Sequence, residues 1–153
     1  MTHLVEESVA VLQTILRKES AYKADYEVFF CRFQQIQERC HSSCSRQALL
    51  WILGAYSHKI EDSLGILQQQ VQHFLDYDRE VQLILLTTGI KVFLANPTDD
   101  SFIQTLLQMA SLKSNNPEVR QRGNFYWRLL SEDSKRPLLQ QLMALSGDIE
   151  YEH

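Results

Sequence analysis

The feature that most constrains this chain is an alternation between two kinds of apolar segment, both at helical spacing. Residues 45–56 carry Leu49, Leu50, Trp51, Ile52 and Leu53 without a break, and residues 79–94 carry Ile84, Leu85, Leu86, Ile90, Phe93 and Leu94 on every side. A helix that is apolar all round is one covered on both sides. Between and after these segments lie others with a single stripe: Leu64, Leu67, Val71, Phe74 and Leu75; Phe102, Ile103, Leu106, Leu107 and Ala110; then Leu138, Leu139, Leu142 and Met143. Spacings of three and four residues mark amphipathic helices. Two earlier stripes follow the same rule, Leu4, Val5, Val9, Leu12, Ile15 and Leu16, and then Val28, Phe29, Phe33 and Ile36 in a helix over about 24–40. Only 5 Gly and 3 Pro interrupt the chain, which excludes a turn-rich all-β fold.

Roughly eight helices of alternating type predict an all-α, HEAT/armadillo-like solenoid of about four antiparallel pairs, with residues 1–153 forming one helical-repeat domain. Trp51, Leu86 and Trp127 lie 35 and 41 residues apart, within the period of helix-pair repeats. Gly54, Gly89 and Gly123 fall inside helices of the apolar set, where a glycine costs roughly 1 kcal/mol against alanine. Their positions predict close crossings between neighbouring repeats. A single compact bundle is the alternative topology.

Composition narrows the function classes. Hydrophobic residues make up 44% and charged residues 22%, both ordinary globular values. A net charge of −4 gives no general drive toward nucleic acid or an anionic membrane. The three cysteines, Cys31, Cys40 and Cys44, do not form a disulfide framework, so a reducing compartment is expected. No leader-like start is visible, and no run approaches ~18 apolar residues. A soluble cytoplasmic chain is the expectation.

One stretch reads as a signature, Asn116 to Leu130, NPEVRQRGNFYWRLL. Pro117 suits the first turn of a helix, where its missing N–H costs nothing. Glu118 faces the positive end of that helix. Gly123, Tyr126 and Trp127 follow, with Phe125 beside them. Together with SRQALLWILGAYSHKI (Ser45 to Ile60) and VQLILLTTGIKVFLANP (Val81 to Pro97), this stretch resembles the beta-adaptins, the large beta subunits of clathrin adaptor complexes. The three blocks stand in the family's order from Ser45 to Leu130 and resemble the C-terminal part of its helical trunk. Ala55 stands where the family has an acid, and Glu118 where it more often has aspartate.

Chemistry finds little purchase. Cys40 and Cys44, with Cys31 and a histidine such as His3, His58, His73 or His153, are the best metal candidates, yet zinc needs two converging ligand pairs. Free cysteines acting as small hydrophobes are the preferred reading, so no metal site is expected. Asp99-Asp100 and Glu132-Asp133 stand at helix starts, where acids complement the dipole. No nucleophile elbow, phosphate loop or metal motif is present, so neither an enzyme nor a cofactor is expected. Lys113, Arg120, Arg122 and Arg128 form a candidate basic patch for phosphoinositide headgroups or an acidic peptide, because guanidinium forks bind phosphate and carboxylate. Pairing of the same arginines with acids of a neighbouring repeat is the preferred reading. Phe125, Tyr126 and Trp127 point about 100° apart, so two are expected in the core and one outside.

The resemblance implies a scaffold subunit of a heterotetrameric adaptor, with a second large chain, a medium and a small chain as partners. It implies packing against the medium (mu) chain, and clathrin and membrane contact only through the assembled complex. It further implies peripheral location on coated vesicles, coated pits, Golgi, endosomes or the plasma membrane, in endocytosis or intracellular sorting. Family members are far longer and carry a clathrin-box hinge and an ear, so an excised fragment or a degenerate paralogue is expected. A coatomer- or importin-like scaffold and a small Cys/His metal-binding regulator are the other readings.

Overall fold

The computed structural model describes residues 30–95 and 101–143, and every regular element among them is helical. The order is α1 (Phe33–Glu38), α2 (Ser43–Ala55), α3 (Ser63–Gln72), α4 (Arg79–Ala95), α5 (Ser101–Gln108), α6 (Pro117–Ser131) and α7 (136–143). Short 3-10 turns at Ser57–Lys59, Phe74–Asp76 and Asp133–Lys135 and a π turn at Met109–Lys113 join them. The stripe at Leu4–Leu16, Val28 and Phe29, and Pro97 with Asp99-Asp100 lie outside the described residues.

Local chemistry sets the helix starts. The Ser42 hydroxyl accepts from Ser45 N–H (3.2 Å) and so begins α2 at Ser43, one or two residues ahead of the Cys44 or Ser45 start that the sequence predicts. Asp78 Oδ1 accepts from Val81 N–H (3.0 Å) at the start of α4. Asn116 Oδ1 accepts from Glu118 and Val119 N–H (2.9 and 3.3 Å), ahead of Pro117 in the first turn of α6. Each satisfies donors that a helix leaves orphaned at its N-terminus. Asp62 opens α3 differently, with φ 56° and its carboxylate folded over Gly65, where a Cβ would collide with it.

The helices pack in two rows. In one, α2 lies against α4 and α4 against α6; in the other, α3 lies against α5, and α4 bridges to both. That is the helical-repeat arrangement, with the two all-round apolar helices, α2 and α4, in one row; α6 joins them through Val119, Gly123, Tyr126 and Leu129 and exposes its other side. Ile52, Leu53, Leu67, Leu85, Leu86, Ile90 and Leu106 are fully buried between them. Leu139 and Met143 of α7 close the far end, with the Arg136 guanidinium over the Phe93 ring.

Glycines mark two of the seams. A Cβ on Gly89 would run into the Leu106 side chain, and one on Gly123 would sit 2.9 Å from the Ala110 Cβ and 3.1 Å from Ser111 N. Buried polar groups cross other seams. Thr88 donates to the Leu50 carbonyl (2.8 Å), tying α4 to α2. Gln82 donates to the Phe74 carbonyl (3.0 Å) and accepts from Ser114 (2.9 Å), joining two connections to α4 with one amide.

The apolar stripes need correction at two points. Leu75, expected on the inner face, is 45% exposed, because α3 ends at Gln72 and the tighter turn at Phe74–Asp76 rotates Leu75 outward while Phe74 stays buried. Leu138 is also largely exposed, and Leu139 alone points fully inward beside it. Phe30 and Ile66, absent from the stripes read in the sequence, are buried.

Candidate interaction surface

Among the described residues no three His, Cys, Asp or Glu side chains come together to hold a metal ion. Cys40 is buried, while Cys31 and Cys44 are exposed free thiols. His3 and His153 lie outside the described residues.

The outer face of the first row is one candidate. Gln47 and Trp51 of α2 and Leu83, Ile84, Thr87 and Lys91 of α4 line one shallow hollow of about 240 Å³, with Arg122 of α6 at its edge. On α4 these positions recur every three or four residues, so they form one stripe along the helix. Leu83 and Ile84 stay half-buried on a helix whose opposite side is fully packed. The signal was present in the sequence: Thr87 and Lys91 interrupt an otherwise apolar helix at i, i+4.

Glu118 organises the charge at one end of that face. It accepts from Arg79 (2.7 Å) and lies 3.8 Å from Arg122, while Arg79 also grips Glu80 at 2.6 Å. Hydrogen bonding to Glu80 first, and then to Glu118, raises the Arg79 pKa above its ordinary value. The hydrogen bond from Arg79 lowers that of Glu80.

A deeper groove of about 300 Å³ lies where α1, α2 and α3 meet. Its apolar floor includes Phe33, Leu49, Leu53 and Ile66. Over its rim the Arg46 guanidinium stacks 4.9 Å above the Tyr77 ring, and the Tyr77 hydroxyl donates to Gln70 (2.6 Å). Burial pushes the Tyr77 pKa up, opposed by the charge of Arg46 and reinforced by that of Asp76.

The four cations of the candidate basic patch do not share one hollow. Arg120 is half-buried and donates to the Ser114 carbonyl (2.7 Å). Arg122 lies about 200° around α6 from it, on the α4 side. Arg128, about 80° from Arg120, lines a hollow with Leu112 and Trp127. Lys113 lines a further one with Leu75 and Arg79. Of the signature residues, Pro117 opens α6, Tyr126 is buried beside Gly123, Trp51 is buried on α2, and Trp127 packs half-buried against the core. Gly54 approaches Thr88 of α4, with 3.4 Å from an ideal Cβ to the Thr88 Cα. Phe125 is 42% exposed. Reading residues in order could not show which cations share a flank.

Comparison with known proteins adds a family. The model of the adaptin N terminal region matches residues 1–134. The AP-1 complex subunit beta-1 of Homo sapiens is 34% identical over 134 residues, covering 87% of this chain and 14% of the human protein. The AP-1 complex subunit beta of Dictyostelium discoideum shows the same identity and coverage. The AP-2 complex subunit beta of Schizosaccharomyces pombe is 36% identical over 133 residues, 86% of this chain and 19% of that protein. The chain therefore spans 14% to 19% of the length of these curated relatives.

Proposed function

Because the chain belongs to the adaptin family, we propose that it is a non-enzymatic scaffold segment of a clathrin-associated adaptor complex in vesicle-mediated protein transport. It acts as one helical-repeat unit equivalent to the C-terminal part of a beta subunit's trunk, and it packs against the complex's medium chain. The small and second large chains, clathrin and the membrane are then reached through the assembly, which places the chain peripherally on coated vesicles. None of this calls for a catalytic group or a cofactor.

The observation that carries the reading is the half-buried strip of Leu83 and Ile84 between Trp51 and Lys91. A solenoid helix needs one apolar side to stack in its row. A second apolar side, left partly open and rimmed by polar groups, is the composition of a protein–protein contact.

The test is co-expression of the chain with an adaptor medium chain, followed by capture. Wild type should retain the medium chain, and the double variant Leu83→Asp, Ile84→Asp should lose it while keeping its helical circular dichroism. A folded wild-type chain that captures no medium chain sinks the proposal.

A further inference from the structure

A second surface lies on the other flank of α6, opposite Arg122. There the π turn Met109–Lys113 and the α6 residues Asn124, Trp127, Arg128 and Ser131 enclose a hollow of about 490 Å³. Leu112 stands at its edge, 74% exposed, the most exposed large apolar side chain among the described residues. Trp127, half-buried, adds its apolar side to the same hollow. A lone exposed leucine needs no explanation, but a leucine, a tryptophan flank and a concavity together make a seat for an apolar side chain. π turns are rare and recur at functional positions.

Charge decides what kind of partner fits. Arg128 on the hollow and Lys113, next to Leu112 on the π turn, have no carboxylate within ion-pair range among the described residues. Glu132, the carboxylate lining the hollow, is already held by Lys135 at 3.3 Å. With Glu132 held by Lys135, the charge left unpaired on the lining is that of Arg128, and Lys113 adds a second cation on the adjoining hollow. We propose that this hollow is a docking site for an acidic amphipathic segment of a partner protein, which inserts an aliphatic or aromatic side chain between Leu112 and Trp127 and sets carboxylates against Arg128 and Lys113. Arg128 suits that work because its planar fork meets a carboxylate with two parallel hydrogen bonds. The site does not share residues with the strip on α4, so its fate is independent of medium-chain capture.

The experiment uses the full chain and a fluorescein-labelled peptide of Leu, Ala and Glu, with leucines at helical spacing and glutamates flanking them. Fluorescence anisotropy should show saturable binding, weakened at least about tenfold by Leu112→Asp and by Arg128→Glu. A peptide with lysine in place of each glutamate should not bind. Both substituted positions are exposed, so the variants should melt like wild type. Four results with the chain and the peptides overturn the proposal. They are absence of saturable binding, equal binding of the basic peptide, affinity unchanged by both substitutions, and a monomer–dimer equilibrium in sedimentation that Leu112→Asp abolishes, which would make the occupant a second copy. Binding to phosphatidylserine vesicles with the same dependence on Leu112 and Arg128, and none to the peptide, would make it a membrane site instead and equally overturn it.

Discussion

Gly123 of α6 and Ala110 of the preceding π turn approach so closely that a Cβ on residue 123 would lie 2.9 Å from the Ala110 Cβ. Ordinary contacts do not reach that distance, and the next atom met is backbone, Ser111 N at 3.1 Å. The seam between α5 and α6 is therefore closed on bare backbone.

Gly123→Ala should destabilise the chain. Overpacking costs typically 1–3 kcal/mol, and the gain in helix propensity returns about 1. A net loss of about 1 kcal/mol is expected in urea unfolding followed by circular dichroism. Gly54→Ala is the contrast, since its Cβ would meet Thr88 at an ordinary 3.4 Å. That variant should be neutral or slightly stabilised.

Leu86→Ala and Leu112→Ala should separate core from surface. Leu86 is fully buried and Leu112 is 74% exposed. The first should cost about 2–5 kcal/mol through lost burial and a cavity. The second should stay within about 0.5 kcal/mol of wild type in the same unfolding experiment.

Gln82→Leu removes the amide that the Phe74 carbonyl and the Ser114 hydroxyl both use. Leucine fills the volume but leaves the Ser114 O–H without its acceptor and the Phe74 carbonyl with the Tyr77 N–H alone, at a cost of about 1–3 kcal/mol. Faster amide exchange at Asn116, whose N–H donates to Ser114 Oγ, should accompany the loss of stability.

Alkaline pH should weaken the fold through its tyrosines. Burial raises the pKa of Tyr56 and Tyr77 above the ordinary 10.0. A group whose folded pKa is raised stabilises fully below its unfolded pKa and loses that contribution as pH rises through the folded value. The Tm should therefore hold up to about pH 10 and fall beyond it, and Tyr77→Phe should make the fall shallower. Glu80 acts at the opposite end. Its pKa is lowered, so its contribution is present above the ordinary 4.5 and fades as pH drops through the folded value.

The all-α class, the row of all-round apolar helices and the start at Asn116-Pro117 were legible because periodicity and capping are local. Legibility failed where the helix changed pitch. A constant 3.6-residue period carries Leu75 inward, yet the tighter turn after Gln72 sends it out. At the other connection the wider turn at Met109–Lys113 leaves Leu112 outside, a residue that the stripe ending at Ala110 never reached. The cations were legible as residues but not as neighbours. Arg122 meets Glu118, Arg120 meets a carbonyl, and Arg128 meets the π turn only once α6 has been rotated into place.

The hydrogen bond from Thr88 to the Leu50 carbonyl runs across the row, from one helix to the next. Dispersion contacts give way gradually as packed helices slide, but a hydrogen bond is lost within a fraction of an ångström. With Gly54 letting the two backbones close beside it, the α2–α4 joint works as a latch rather than a spring. Load on a longer trunk would leave this joint rigid until it lets go, and bending would be taken up at other joints in the stack.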